Sequence, residues 1–580
     1  MLYAVAAFCM VSILPATATL AQSTAIERNL PDEPDSPGAA ITVDEHDFGA
    51  ADERPLGVDL AGIELIGPGQ AISAEPGRGV AVGDIPNADR QALEAALSPF
   101  IGQPLSLALV ARMQAEVARV WREDGHPFMS VTAPPQELTA GVLTLRVVEF
   151  SAGRIEIDPQ GDRDAGLRAK IRQQPGARIG AEALSEDLDW VNRNPFRHVE
   201  AVFAPGDEQG ASDIRLDVTA RRPVSMFASW DNTGNEATGR ERWSVGGGAW
   251  IPELNDMTVS YRFTRSDEFW DEGELFSLDG ELPGYLSHAG RIDLPTWPRQ
   301  ALSVMPNYVE TNELVSGTPF SFRNKTFELP IRYRSAVSSI LPGRYWGDVY
   351  VGVEPKWISR DTSFAGVPVA DAEVGLVNLV VGWSHRLVDS HGRTEIDLRL
   401  KANPGRVIST NTAADWAAFT GGRVTDNTYV HAGFDIARLT RLPRDFLWSS
   451  RLSGLIAGQA LPDTERLSLG GFHAVRGYDG NDGSVDAGLV WRNEIRLPTL
   501  ALLGNAGVND SFSPFAFLDL GFGRDIGLDI DVDLASTGLG FDYAIGSHLA
   551  ANLTAAVALT DSGETRSGDV SILGSIRVTY

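Results

Sequence analysis

The sequence predicts a transmembrane β-barrel preceded by two small α+β modules. Three observations carry the prediction. From residue 223 to residue 580 apolar and polar side chains alternate at period two, without helical periodicity of comparable length. Between residues 57 and 222 one order of elements (strand, helix, helix, strand, strand) occurs twice. After the N-terminus no run reaches the roughly 18 apolar residues of a spanning helix. A membrane protein of this composition therefore has to be a closed barrel, which satisfies every backbone group in lipid.

Residues 1–21 read as a secretory signal peptide. An apolar run from Leu2 to Leu14 precedes small residues ending Thr19-Leu20-Ala21, with cleavage expected before Gln22, although no lysine or arginine stands ahead of the run. Cys9, the only cysteine of the chain, lies inside this run. The mature protein then has neither disulfides nor a cysteine-ligated zinc site, which suits an oxidising envelope compartment. The formal charge of −28 argues against a nucleic-acid partner, whose phosphates demand basic surface. Residues 22–56 are acidic and proline-bearing and read as a linker, with a short helix at Thr24 to Asn29.

The first module spans 57–150. VDLAGIELIG reads as a strand, Ala88 to Phe100 and Leu105 to Val120 as helices, and Pro127 to Ala133 and Gly141 to Phe150 as strands. The second spans 151–222: a strand at Gly153 to Ile157, helices at Asp164 to Arg172 and Ala181 to Val191, and strands at His198 to Ala204 and Ser212 to Ala220. Neither holds a nucleophile beside a base, a phosphate loop or a metal-ligand cluster, so both read as docking modules.

The barrel, 223–580, shows its faces directly. DMTVSYRFT sets Met257, Val259, Tyr261 and Phe263 against Thr258, Ser260, Arg262 and Thr264. RTEIDLRLKA sets Ile396, Leu398, Leu400 and Ala402 against Glu395, Asp397, Arg399 and Lys401. An apolar face opposite a charged one is a strand with lipid outside and water inside; a soluble antiparallel sheet uses the same alternation, but not over this length. The chain ends on VSILGSIRVTY, whose Ile576, Val578 and Tyr580 share a face and close on an aromatic, similar to the terminal β-signal of bacterial outer-membrane proteins.

One arginine breaks the pattern. GGFHAVRGYDG places Arg476 among glycines, followed by Gly477 and Tyr478 and preceded by Val475. It is a solvated loop charge, an anion clamp, or a tether reaching inward. In FAFLDLGFG the small apolar stripe of Ala516, Leu518, Leu520 and Phe522 suits lipid, which turns Phe515, Phe517, Asp519 and Gly521 into the lumen. In VWRNEIRL, Trp491 and Ile495 facing lipid turns Arg492, Glu494 and Arg496 inward. Asp519 and Glu494 are therefore candidate partners for Arg476, whose planar fork suits a carboxylate. No phosphate-loop motif occurs, and no catalytic, cofactor or metal site is expected anywhere in the chain.

Taken together, the chain resembles the two-partner-secretion outer-membrane transporters (TpsB), the haemolysin-activator and filamentous-haemagglutinin-transporter group, within the superfamily that contains the insertase BamA. Four stretches carry the resemblance: Asp124 to Phe150, with its P-Q-x-L segment and LTLRVVEF strand; WDNTGNEATGRERWSVGG at Trp230 to Gly247; LSLGGFHAVRGY at Leu467 to Tyr478; and LVWRNEIRLP at Leu489 to Pro498. Three residues depart from the family pattern. His126 and Pro127 replace a turn aromatic, and Phe150 stands where glycine is common.

The resemblance implies that the modules are periplasmic polypeptide-transport-associated (POTRA) domains and that the barrel has about sixteen strands. Sixteen strands over 223–580 leaves roughly 22 residues per strand with its connection, enough for membrane strands of about 9 to 11 residues and their loops. It implies a loop at about 467–487 folded into the lumen, with Arg476 meeting Asp519 of the inner-wall motif Phe517, Asp519, Gly521. An N-terminal plug helix belongs to the family pattern, but the segment from Gln22 is short for helix and linker together. The implied function is a Gram-negative outer-membrane pore that takes an unfolded exoprotein (TpsA-like) from its POTRA domains to the cell surface. Its other partners would be outer-membrane lipid and, during biogenesis, the barrel-assembly machinery. A BamA-like insertase and a passive porin are the alternatives.

Overall fold

The computed structural model describes residues 52–580 apart from 74–76, 86–87, 124–127, 158–165, 209, 267–282, 315–317, 344 and 505–506. The stretches expected to be a signal peptide (1–21) and, for the most part, a linker (22–56), together with the turn at His126 and Pro127, lie outside the described residues. The chain divides into two compact units, with the boundary between Arg221 and Arg222.

The N-terminal unit contains both modules. The first comprises β1 (Gly62–Ile66), β2 (Gly79–Val82), α1 (Arg90–Leu97), α2 (Leu107–Glu123), β3 (Met129–Thr132) and β4 (Val142–Glu149), with sheet order β2-β1-β4-β3. Leu93 and Leu97 of α1 and Leu109, Met113 and Val117 of α2, spaced one helical turn apart, pack on Ile63, Leu65, Leu143 and Leu145. Asp89 caps α1, its carboxylate accepting from the Ala92 amide at 3.0 Å. Strand β2 was not expected; four residues, GVAV, are too few to display a period.

The second module comprises β5 (Ser151–Ile157), α3 (Leu167–Lys170), α4 (Ala181–Val191), β6 (Arg197–Pro205) and β7 (Ala211–Ala220), with sheet order β5-β7-β6. The helix expected over Asp164 to Arg172 is confined, among the described residues, to α3. The reason lies at its end, where the Arg172 amide donates to Asp187 Oδ2 at 2.7 Å and leaves the helical ladder.

The C-terminal unit is the barrel. Its strands are β8 (Val224–Asp231), β9 (Arg242–Ile251), β10 (Met257–Arg265), β11 (Tyr285–Pro295), β12 (Gln300–Val304), β13 (Asn307–Leu314), β14 (Phe320–Glu328), β15 (Ile331–Ala336), β16 (Asp348–Phe364), β17 (Val367–Asp389), β18 (Gly392–Asn403), β19 (Tyr429–Arg441) and β20 (Leu447–Ala457). After a long loop come β23 (Ala487–Arg496), β24 (Asp510–Asp525), β25 (Ile530–Ile545), β26 (Leu549–Ala558) and β27 (Val570–Thr579); the loop carries its own short ladder of β21 (Leu467–Ser468) and β22 (Ser484–Val485). β12 with β13, and β14 with β15, are single strands interrupted at Pro306 and Pro330, where the ladder loses an amide, so the wall has sixteen antiparallel strands. β27 closes on β8, from Ser575 opposite Asp231 to Thr579 opposite Phe227.

Period-two alternation becomes two faces. Val351 and Trp357 of β16, Leu398 and Leu400 of β18, and Leu518 and Phe522 of β24 are exposed outward, while Lys356, Asp397, Lys401 and Asp519 are buried inside. A short helix absent from the sequence reading, α5 (Ala413–Phe419), sits in the loop between β18 and β19, its Trp416 buried against Ile358, Val374 and Leu376.

Candidate functional site

The loop joining β20 to β23 fills part of the lumen. Its ladder pairs Leu467 with Val485, and beyond it the chain turns back at Gly470 and Gly480 to form a tip. Leu469 donates its amide to Gly483 O at 2.7 Å, Val475 to Leu469 O at 2.9 Å and Gly471 to Tyr478 O at 3.1 Å. These bonds give the tip a fixed shape, so Arg476 is presented rather than dangling.

Arg476 is 2% exposed and enters a carboxylate cradle. Its Nε donates to Asp519 Oδ2 at 2.7 Å and its Nη2 to Asp519 Oδ1 at 2.9 Å, a two-point fork. Its Nη1 donates to Glu494 Oε1 at 2.7 Å. The guanidinium also lies 3.7 Å from the centroid of Phe517. Arg496 completes the wall, donating to Glu494 Oε2 and to Asp542 Oδ2, each at 2.6 Å. Three guanidiniums, counting Arg492, thus face three carboxylates.

The flanking residues seat the tip. The Tyr478 hydroxyl stands 2.8 Å from the backbone carbonyls of both Ala535 and Thr560, which share its one proton, while the Thr560 amide donates to it at 3.0 Å. Gly477 has φ +96° and passes so close to β26 that a Cβ would stand 3.2 Å from that of Ala556. At Gly521 an added Cβ would meet Val475 Cγ2 at 2.9 Å, so only glycine lets the loop lie against β24. Val475, Leu467, Leu469 and Tyr478 bury themselves on Leu455, Val490 and Leu534 of the wall. Each fully buried aliphatic side chain contributes roughly 1.5–3 kcal/mol, so the docked loop is held by an apolar core as well as by charge.

The structure therefore brings Arg476 together with both Asp519 and Glu494, and puts Phe517 and Gly521 on the same inner surface. Ile576, Val578 and Tyr580 stand apart from this site, exposed on the outer face at the barrel's closing strand. The Tyr580 amide donates to Met226 O at 2.8 Å and the Met226 amide to Tyr580 O at 3.0 Å, extending the closure of β27 on β8.

The sequence profile of the haemolysin secretion/activation proteins ShlB/FhaC/HecB matches residues 351–543, which include the loop and its wall, and the profile of the ShlB-type POTRA domain matches 76–149. The chain resembles this family in its barrel and in its first module. It is an outer-membrane protein-secretion transporter with periplasmic POTRA modules. The chain is 23% identical over 428 residues to the outer membrane transporter CdiB-2 of Burkholderia pseudomallei, covering 72% of this chain and 67% of that one. It is also 23% identical over 428 residues to the hemolysin transporter protein HpmB of Proteus mirabilis, covering 69% and 68%. The solved structure of CdiB from Escherichia coli superposes with a TM-score of 0.65 at 15% identity, covering 94% of each chain, which shows a shared fold.

Sequence reasoning missed three residues of the site that lie on or beside the loop. Glu465 and Arg466 precede β21, and Arg423 follows α5. Arg423 Nη1 stands 3.3 Å from Asp486 Oδ1 and Nη2 3.2 Å from Asp463 Oδ1, clipping the α5 loop to the lumen loop, while Arg466 pairs with Asp525. Their partners are far away in sequence, so no local pattern reports them. The only available signal was that DTERLSLGG sets two charges directly before a hydrophobic, glycine-bearing turn.

Proposed function

We propose that the docked loop is the closed resting state of a two-partner-secretion pore, and that the Arg476 tether to Asp519 and Glu494 is released while an exoprotein passes. The carrying observation is the position of Arg476, buried among wall carboxylates at 2.7–2.9 Å within the space a translocating chain would use. In this reading residues 57–150 and 151–222 are the docking modules and 223–580 the pore. An unfolded haemolysin- or haemagglutinin-type exoprotein arrives in the periplasm and adds a strand to a module's free sheet edge, where backbone hydrogen bonds read an extended chain with little sequence demand. It then moves through the lumen and folds outside, and folding at the surface supplies the direction. The terminal residues Ile576, Val578 and Tyr580 serve the barrel-assembly machinery during biogenesis.

Secretion of the cognate exoprotein by Arg476→Ala tests the tether. Secretion should fall sharply while the barrel remains in the outer membrane; normal secretion would refute the role. The reversed pair Arg476→Asp with Asp519→Arg should recover part of the loss, since the fork geometry is then available with the charges exchanged.

A further inference from the structure

We propose that Glu465 is a second anchor of the lumen loop, and that the pore opens only when it leaves Lys356 and Lys401 as well as when Arg476 leaves Asp519. The inference rests on reading the docked loop as the closed state.

Glu465 ends a short turn, Asp463–Glu465, whose backbone is pinned by the Glu465 amide donating to Pro462 O at 2.8 Å. Its side chain is buried in the lumen against strands that Arg476 does not touch. Lys356 Nζ of β16 donates to Oε1, while Oε2 stands 3.4 Å from Lys401 Nζ of β18 and 3.4 Å from His431 Nε2 of β19. Both lysines come from the inward-facing half of their strands, and Lys356 is 0% exposed.

The wall alone serves these cations poorly. Lys356 has Glu328 at 3.4 Å and Lys401 has Glu354 at 2.8 Å, but Glu354 is also engaged by Arg332 at 2.6 Å. With the loop docked and Glu465 neutral, two buried ammonium groups would share what remains. Uncompensated buried charge is a strong penalty, so the docked state weakens when either side of this contact loses its charge.

The two anchors have opposite signs. An acidic loop residue meets lysines of β16 and β18, and eleven positions later a basic loop residue meets carboxylates of β23 and β24. A loop seated the other way round would bring Glu465 to Asp519 and Glu494, and Arg476 to Lys356 and Lys401, while a shifted one would satisfy only one anchor. Charge thereby selects a single docked register, a use of buried ion pairs better attested than added stability. Glu465 is a positioning residue of the closed pore.

The test uses the purified full chain in planar bilayers, with potassium chloride as the only probe and heat-modifiable gel mobility to verify assembled barrels. Glu465→Gln should raise the fraction of time spent in the wide-conductance state by about tenfold. Glu465→Asp, which keeps the charge, should stay near wild type. The double variant Lys356→Gln with Lys401→Gln should reproduce Glu465→Gln from the wall side, and it decides the matter if Glu465→Gln does not assemble. Wild-type traces from both neutralised forms, beside an opened Arg476→Ala, would overturn the second anchor. Wild-type traces from Arg476→Ala as well would instead show that the docked loop does not close the pore.

Discussion

Arg476 stacks on Phe517, its guanidinium carbon 3.7 Å from the ring centroid, while the same planar group forks onto Asp519. Stacking and forking together need a flat, delocalised cation, which a lysine ammonium is not. Arg476→Lys keeps the charge and loses both geometries. Secretion by this variant should fall on the order of tenfold, between wild type and Arg476→Ala, with unchanged barrel abundance. A lysine variant indistinguishable from wild type would mean that charge alone holds the loop.

Gly477 offers a way to loosen the loop without touching a charge. Its φ of +96° is disfavoured for any residue with a Cβ, at a cost of roughly 1–2 kcal/mol, and the new methyl would crowd Ala556. Gly477→Ala should therefore shift the balance between docked and released loop about 5- to 30-fold. The expected readout is a raised open fraction in bilayers, together with faster protease cleavage near the loop tip on intact cells. Gly477→Ala paired with Ala556→Gly should recover only the part due to crowding, because the backbone cost remains.

How much of this was legible in the sequence follows from how far each signal reaches. Strand faces were legible because they depend on neighbours two residues away: Leu518 and Phe522 face out and Phe517 and Asp519 in, as their alternation dictates. Local breaks were less so. Proline at 306 and 330 divides two strands without ending them, and the four residues of β2 are too few to show a period. The ion pairs of the lumen divide along the same line. Arg476 drew attention because an arginine among glycines is locally anomalous. Glu465 looks like any surface acid, and its meaning lies in Lys356 and Lys401, which closure of the barrel brings to it.

Among the described residues strand β6 is the edge of its sheet, and its geometry fixes the test. The Gly206 amide donates to Ala211 O and the Arg221 amide to Phe196 O, so in this antiparallel ladder the amides of residues 201 and 203 point away from β7. Pro205 already occupies such a position. Ala201→Pro removes one outward donor without breaking a ladder bond, and proline is tolerated at such edges. If the exoprotein adds a strand here, secretion should drop several-fold while bilayer conductance of the purified protein stays at the wild-type value. Unimpaired secretion by Ala201→Pro would move the docking edge to β2 or to another surface.

Tyr580 separates assembly from stability. Its side chain is 75% exposed, with Arg222 4.9 Å from the ring centroid, so truncating it removes little buried area from the finished barrel. Its backbone still bonds to Met226 whatever the side chain. Tyr580→Ser should therefore leave heat-modifiable mobility and single-channel behaviour of the assembled fraction unchanged. The amount reaching the outer membrane should nevertheless fall, because an assembly factor that reads the terminal aromatic has lost its handle. Equal amounts of both proteins in the membrane would show that the aromatic is not read. A lowered thermal transition in the assembled fraction would show instead that the ring contributes to barrel closure, and the contact with Arg222 would then be the first place to look.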